Sequence, residues 1–100
     1  MTDEPERRDD PVAAAILAVL AAAGPGKAVA PEAVARACAE ARRRKTDPAD
    51  LWRRYLPSVR HQAIHLARAG RIEILRKGKP VDPDNFKGVY RLRLKGGGSA

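Results

Sequence analysis

The sequence predicts a mostly α domain closed by a C-terminal β-hairpin. Three observations predict it: apolar residues recur at helical spacing between Val12 and Ala67, the period changes to two after Gly70, and Gly- or Pro-bearing breaks separate the runs. The 100 residues suffice for one domain. Of the 44% hydrophobic residues, 19 are Ala, which leaves material for one small core. A TIM barrel or a full dinucleotide-binding fold is excluded by size.

The first helix is expected over residues 11–23. Asp10 can accept early backbone N–H groups, and Pro11 at the first helical position sacrifices no needed bond. Val12, Ile16, Val19, Leu20 and Ala23 form its apolar stripe, and Gly24-Pro25-Gly26 ends it. Lys27-Ala28-Val29 is long enough for a very short strand. Pro31 opens a second helix to about Arg42, with a narrow face of Val34, Cys38 and Ala41. Thr46-Asp47-Pro48 is a third start signal, and the helix it opens, over 48–69, is broken or kinked near Pro57. Beyond the break, Leu56, Val59, Ala63, Leu66 and Ala67 share one face, and Gly70 closes the end. Strands are expected near 71–76 and 89–95, where Ile72 and Ile74, then Tyr90, Leu92 and Leu94, alternate with charged residues. The stretch from Lys77 to Gly88 reads as a long loop between them. The expected core is Ile16, Leu20, Trp52, Leu56, Val59, Leu66, Ile72, Ile74 and Leu92.

Helix, short strand, helix, helix, strand, loop, strand is the order of a winged helix-turn-helix, a three-helix core plus wing. The domain is expected over 11–95. It lies between an acidic, disordered tail (1–10) and a flexible tail (96–100) made of Gly96-Gly97-Gly98-Ser99-Ala100.

The formal net charge is +8, and the acids Asp3, Glu4, Glu6, Asp9 and Asp10 are concentrated in the tail, so the domain itself is more basic still. Such a balance suits a polyanion partner, and solubility alone is the plainer explanation. The apolar run Val12–Ala23 lacks the positive segment that precedes a secretory signal core. It is also shorter than the roughly 20 residues that span a bilayer. A cytoplasmic protein with no membrane partner is therefore expected. Cys38 is the only cysteine, so no disulfide can form within the chain, and a small buried apolar group is the simplest role for it.

The candidate nucleic-acid-binding residues fall in three groups. The expected recognition helix, 57–69, offers Ser58, Arg60, His61, Gln62, His65 and Arg68, side chains able to donate to phosphates or reach base edges; for Arg60 both a base contact and a phosphate contact are open. The wing contributes Lys77, Lys79, Arg91 and Arg93, with the acids Asp82 and Asp84 arguing against contact at the loop tip. The run Arg42, Arg43, Arg44 and Lys45 is the third group; bases at a helix C-terminus also answer the dipole, so a solvated run explains it equally well. For the wing the alternative is an edge strand whose charges prevent aggregation. Phe86 has three roles open to it: folding back onto the body, docking a partner, or wedging into a minor groove.

No metal site or cofactor is expected. His61 and His65 stand four apart, but Gln62 occupies the place where the zinc-protease motif has Glu. Gly24-Pro25-Gly26-Lys27 lacks phosphate-loop spacing, no nucleophile–base pair is apparent, and an enzyme is not expected.

As a set, several segments resemble one family: Gly24-Pro25-Gly26-Lys27, Pro31-Glu32-Ala33-Val34-Ala35-Arg36, Trp52-Arg53, Leu56-Pro57-Ser58-Val59-Arg60, Leu66-Ala67-Arg68-Ala69-Gly70-Arg71-Ile72, Lys77-Gly78-Lys79-Pro80-Val81-Asp82 and Gly88. That family is the short bacterial proteins called domain of unknown function 3253. The resemblance covers about residues 12–94. It implies a winged-helix fold and a small stand-alone cytoplasmic protein, and it brings no activity and no catalytic residues. The run Arg42–Lys45 is not a mark of that family.

The sequence is thus read as a winged helix-turn-helix binding nucleic acid, duplex DNA before RNA, mainly through phosphate contacts. Two alternatives stand beside it: a protein-interaction adaptor on the same scaffold, and structured-RNA binding. A continuous apolar patch around Val81, Phe86 and Val89 would favour the adaptor, and a continuous basic stripe would favour nucleic acid.

Overall fold

The computed structural model describes residues 10–24, 26–41 and 48–95. The acidic tail before Asp10, the run Arg42–Lys45 and the C-terminal tail lie outside the described residues. The predicted class holds: among the described residues three α-helices precede a small antiparallel sheet.

Helix α1 spans Pro11–Ala23; the Asp10 carboxylate accepts from the Val12 N–H at 2.7 Å, and the Gly24 N–H closes the far end on the Leu20 carbonyl. Ala13, Ile16 and Leu20 are its buried face. Helix α2 spans Pro31–Ala41 and buries Val34, Ala35 and Cys38; Ala41, expected on that face, is exposed. The predicted break near Pro57 is resolved as a 3-10 helix, Leu51–Tyr55, followed by α3, Leu56–Arg68. Proline has no N–H to give the Arg53 carbonyl. The Leu56 N–H takes that acceptor instead, one residue earlier, which is 3-10 geometry. Residues 48–50, expected as helix, form a turn. Helix α3 buries Val59, Ala63 and Leu66. It ends with the Arg71 N–H on the Leu66 carbonyl and the Gly70 N–H on the Ala67 carbonyl, both at 3.0 Å, the paired bonds of a Schellman motif.

The strands are β1 (Ile72–Arg76), β2 (Lys79–Pro80) and β3 (Arg91–Leu94), in spatial order β2-β1-β3. Strand β3 pairs antiparallel with β1, Ile72 opposite Leu94 and Ile74 opposite Leu92. The stretch after Arg76 is not loop from its first residue: the chain reverses at once and pairs Arg76 with Lys79. The reversal is a two-residue turn with Lys77 at φ 52° and Gly78 at φ 82°. Two positive φ angles are the mark of a type I′ turn, the tightest link between twisted antiparallel strands. The usual sequence signal for it is Asn-Gly or Asp-Gly, and Lys at the first position conceals it. The expected short strand before α2 is a single bridge, in which Val29 and Leu92 exchange two N–H···O bonds of 2.8 Å.

Helix α3 packs on α1, α2 and β1, and α1 also meets β3, so one core runs between helices and sheet. Ile16, Leu20, Val34, Val59, Leu66, Ile72, Ile74 and Leu92 are its largest fully buried side chains. Trp52 and Leu56, expected deep in the core, are only half-buried at its margin. Phe86 and Tyr90, from the stretch that links β2 to β3, complete it. Leu66 is 1% exposed at the meeting of α3 and the sheet. Replacing it with Ala is expected to lower unfolding free energy by roughly 2–5 kcal/mol, measured by urea denaturation. A loss below about 1 kcal/mol would remove it from the core.

Candidate nucleic-acid interface

The connection 81–90 decides which basic residues face solvent. Strands β2 and β3 flank β1 on opposite sides, so the chain leaving Pro80 must cross to reach Arg91. Three arginines from the elements it passes hold it. Arg60 of α3 donates through Nη2 to the Phe86 carbonyl at 3.1 Å, and its guanidinium lies 4.2 Å from the Phe86 ring centroid and 5.8 Å from that of Tyr90. Arg68, at the end of the same helix, grips the Asp84 carboxylate through Nε at 2.6 Å and through Nη2. Arg76 of β1 donates through Nε to the Val89 carbonyl at 3.0 Å. Gly88 is required there: its φ is 84°, and a Cβ would stand 3.0 Å from the Arg76 guanidinium. Phe86 and Tyr90 pack edge to face with centroids 5.3 Å apart. Of the three roles open to Phe86, the structure selects folding back onto the body.

These contacts redistribute the candidate residues. On α3, Ser58, His61 and His65 are exposed and Gln62 is half-buried, so they share the outer face. Asp10 and Val12 at the start of α1 border that face beside Pro57, Ser58, His61 and Gln62. Arg60 departs from the expectation of a free side chain on the outer face: its guanidinium is half-buried and engaged with Phe86, because a planar cation can stack on a ring and donate in its own plane at once. Arg68 is likewise held by Asp84, the acid that argued against phosphate contact at the loop tip. Arg93 is paired across the sheet with Glu73, directly opposite it, at 3.0 Å from Nε. By contrast Lys77, Lys79 and Arg91 are exposed and carry no ion pair among the described residues. The turn brings Lys77 and Arg91 to the rim of one depression, with Ala28, Leu75, Gly78, Val89 and Tyr90 between them. Arg42, Arg43, Arg44 and Lys45 lie outside the described residues.

Sequence reasoning misses two further cations, Arg53 and Arg54, exposed on the 3-10 helix. Their signal is present, since they interrupt the pair Trp52 and Tyr55, but a segment read for its apolar residues conceals it. Trp52 sits under the Arg36 guanidinium at 4.4 Å and within 5.2 Å of that of Arg53. The apolar patch that would favour an adaptor is not formed by Val81, Phe86 and Val89, since Phe86 is buried and Val81 half-buried. Among the described residues no group of three or more His, Cys, Asp or Glu could hold a metal ion, and no helix is long and apolar enough to cross a membrane.

The family described as protein of unknown function (DUF3253) matches residues 9–95, from the cap of α1 to the end of the sheet. The chain belongs to that family. A comparison with curated proteins finds no match. The match ends at Lys95, and within it several of the segments of DUF3253 resemblance set local structure: Gly24 ends α1, Pro31 opens α2, Pro57 sets the 3-10 break, Lys77-Gly78 is the turn and Gly88 admits Arg76.

Burial pushes the Tyr90 phenol above the ordinary tyrosine value, and the nearby Arg60 cation pulls it part of the way back. Because the folded value is the raised one, the unfolded phenol ionises first, from about pH 10: the contribution to stability is fully present below that pH and falls as pH rises through that range toward the folded value. Replacing Arg60 with Ala is expected to move the Tyr90 titration to still higher pH. Near-ultraviolet absorbance of tyrosinate, followed in a Tyr55→Phe background, measures it. A downward move would show that Arg60 acts on Tyr90 by exclusion of water and not by charge.

Proposed function

We propose that this DUF3253 protein is a winged helix-turn-helix module that binds duplex nucleic acid, DNA before RNA, and acts by binding and not by catalysis in the cytoplasm. The observation that carries the reading is the sorting of its cations. Arg36, Arg68 and Arg93 are paired with Glu32, Asp84 and Glu73, while Lys77, Lys79 and Arg91, at the turn end of the sheet, have no acid partner among the described residues. Charges held apart from acids at one end of a sheet suit a phosphate backbone, where each contact releases condensed counterion. In this reading α2 and α3 are the helix-turn-helix, and the β1–β2 turn with the start of β3 is the wing. The bridge between Val29 and Leu92 supports it, since it ties the segment before α2 into the same sheet.

The outer face of α3 then meets the groove through Ser58, His61, Gln62 and His65, with Arg60 excluded by its contact with Phe86. Most of the affinity comes from phosphate contacts, so discrimination between sequences is modest. The run Arg42–Lys45 adds charge between α2 and the 3-10 helix.

Fluorescence anisotropy with a labelled duplex over about 50–200 mM salt tests the reading, because phosphate-driven affinity falls steeply in that range. Replacing Lys77, Lys79 and Arg91 together with Ala is expected to lower the magnitude of the log K against log salt slope by about 2–3, near 0.9 for each phosphate that is no longer neutralised. Absence of duplex binding at the low-salt end overturns the reading. An unchanged slope in the triple variant moves the interface away from the turn. A structured RNA bound more tightly than the DNA duplex at equal salt replaces DNA as the partner.

A further inference from the structure

Val89 is the one exposed large hydrophobic residue among the described residues, at 82% exposure. It is not exposed by looseness. The Arg76 guanidinium holds its carbonyl, Gly88 before it adopts a φ that admits that guanidinium, and Tyr90 after it is buried. The backbone is thus fixed on both sides of a side chain that points to solvent. Next to it lies an open groove of about 460 Å³, walled by Ala30, Pro31, Trp52, Leu56, Val89 and Tyr90. Three elements distant in sequence meet there: the start of α2, the 3-10 break before α3, and the end of the crossing segment.

Cations stand around the groove, although Arg91 is the one in its lining. Arg91 lines the groove, Lys77 stands with it on the adjoining depression, and Arg36 and Arg53 lie against the Trp52 ring. Glu32 is the acid on the wall, and it is already paired with Arg36 at 2.7 Å. The start of α2 faces the groove as well and adds the positive end of its dipole. An apolar floor with Arg91 in its lining and Arg53 and Lys77 nearby is complementary to a large apolar side chain flanked by carboxylates.

We propose that this groove docks an acidic peptide segment of a protein partner, with one large apolar residue seated among Trp52, Leu56 and Val89 and its flanking Asp or Glu residues on Arg91, Arg53 and Lys77. The proposal goes beyond nucleic-acid binding and does not need it. A second copy of this chain is a poor occupant, because a formal charge of +8 on each copy opposes close approach. The apolar side chain supplies affinity through buried area, and the carboxylates supply orientation and partner choice.

The test uses the full chain and its only tryptophan, which lines the groove and reports on it directly. A capped peptide of Asp and Glu residues around a central Leu is titrated at low salt, with Trp52 emission as the readout. Saturable binding is expected. It should weaken about tenfold when the central Leu is replaced by Ser, the loss expected for one buried apolar side chain. Val89→Ser should weaken the Leu peptide by a similar factor, with the urea midpoint unchanged as a check that the fold is intact. Arg53→Ala should weaken it further as salt is lowered.

The proposal is overturned if Leu- and Ser-centred peptides bind alike, if Trp52 emission shows no saturation, or if a single-stranded oligonucleotide binds with Val89 dependence and the peptide does not. Val89→Ser is carried through the duplex titration in parallel and should leave its salt slope unchanged. Failure here and failure of the nucleic-acid reading are therefore told apart.

Discussion

The guanidinium of Arg60 is the contact on which the C-terminal half depends. A chain that leaves one edge of a three-stranded sheet and must return on the far side of the central strand has to cross a distance with no sheet partner for its backbone. Its carbonyls need donors and its apolar side chains need a surface. Arg60 supplies both, with a hydrogen bond to the Phe86 carbonyl and a planar cation against the Phe86 ring. Because Arg60 rises from α3, the same contact fixes the crossing segment to the helix whose other face packs on α1, α2 and β1. Phe86 and Tyr90 can then join a core that would otherwise end at Leu66 and Ile74.

That arrangement explains why so basic a chain does not present a uniform positive surface. Arginine suits internal bracing because its donors and its flat face act together, whereas lysine is a hydrated point charge that is more easily left in water. The division follows that chemistry. Arg60, Arg68, Arg76 and Arg93 brace the crossing segment and the sheet, while Lys77 and Lys79 remain at the turn. Much of what composition alone would assign to a polyanion interface is structural. Lys77, Lys79 and Arg91 lie outside that bracing where the type I′ turn and the start of β3 come together, and Arg53 and Arg54 are exposed on the 3-10 helix.

Two surfaces result, and they meet at Arg91. One is the turn with the start of β3, which is basic; the other is the apolar groove beside Val89 and Trp52, lined by Arg91 and with Arg36 and Arg53 against the Trp52 ring. Both depend on the crossing segment being held, since Arg76 sets the position of Val89 and, through it, the wall that separates turn from groove. A small domain with one core can carry two such surfaces because neither needs buried chemistry. Each needs only that exposed side chains be kept in place by a backbone that does not move.

The sequence by itself determined the three helices and the two longer strands, but not β2. Asp10-Pro11 and Gly24 bounded α1, Pro57 placed the break, and the change of period after Gly70 announced the sheet, because caps, prolines and alternation act within a few residues of where they are written. The family is legible in the sequence as well, over residues 9–95. Tertiary structure decided the rest. Whether Arg60 reads a base or stacks on Phe86 turns on a residue 26 positions away, and the partners of Arg68 and Arg93 are 16 and 20 positions away. No local pattern encodes such distances. Trp52 looked like core because it is large and apolar; it stands at the margin because two arginines reach its ring and a groove opens beside it. Charge can be counted from a sequence, but whether a cation is bracing or available depends on which carbonyl, carboxylate or ring the fold brings to it.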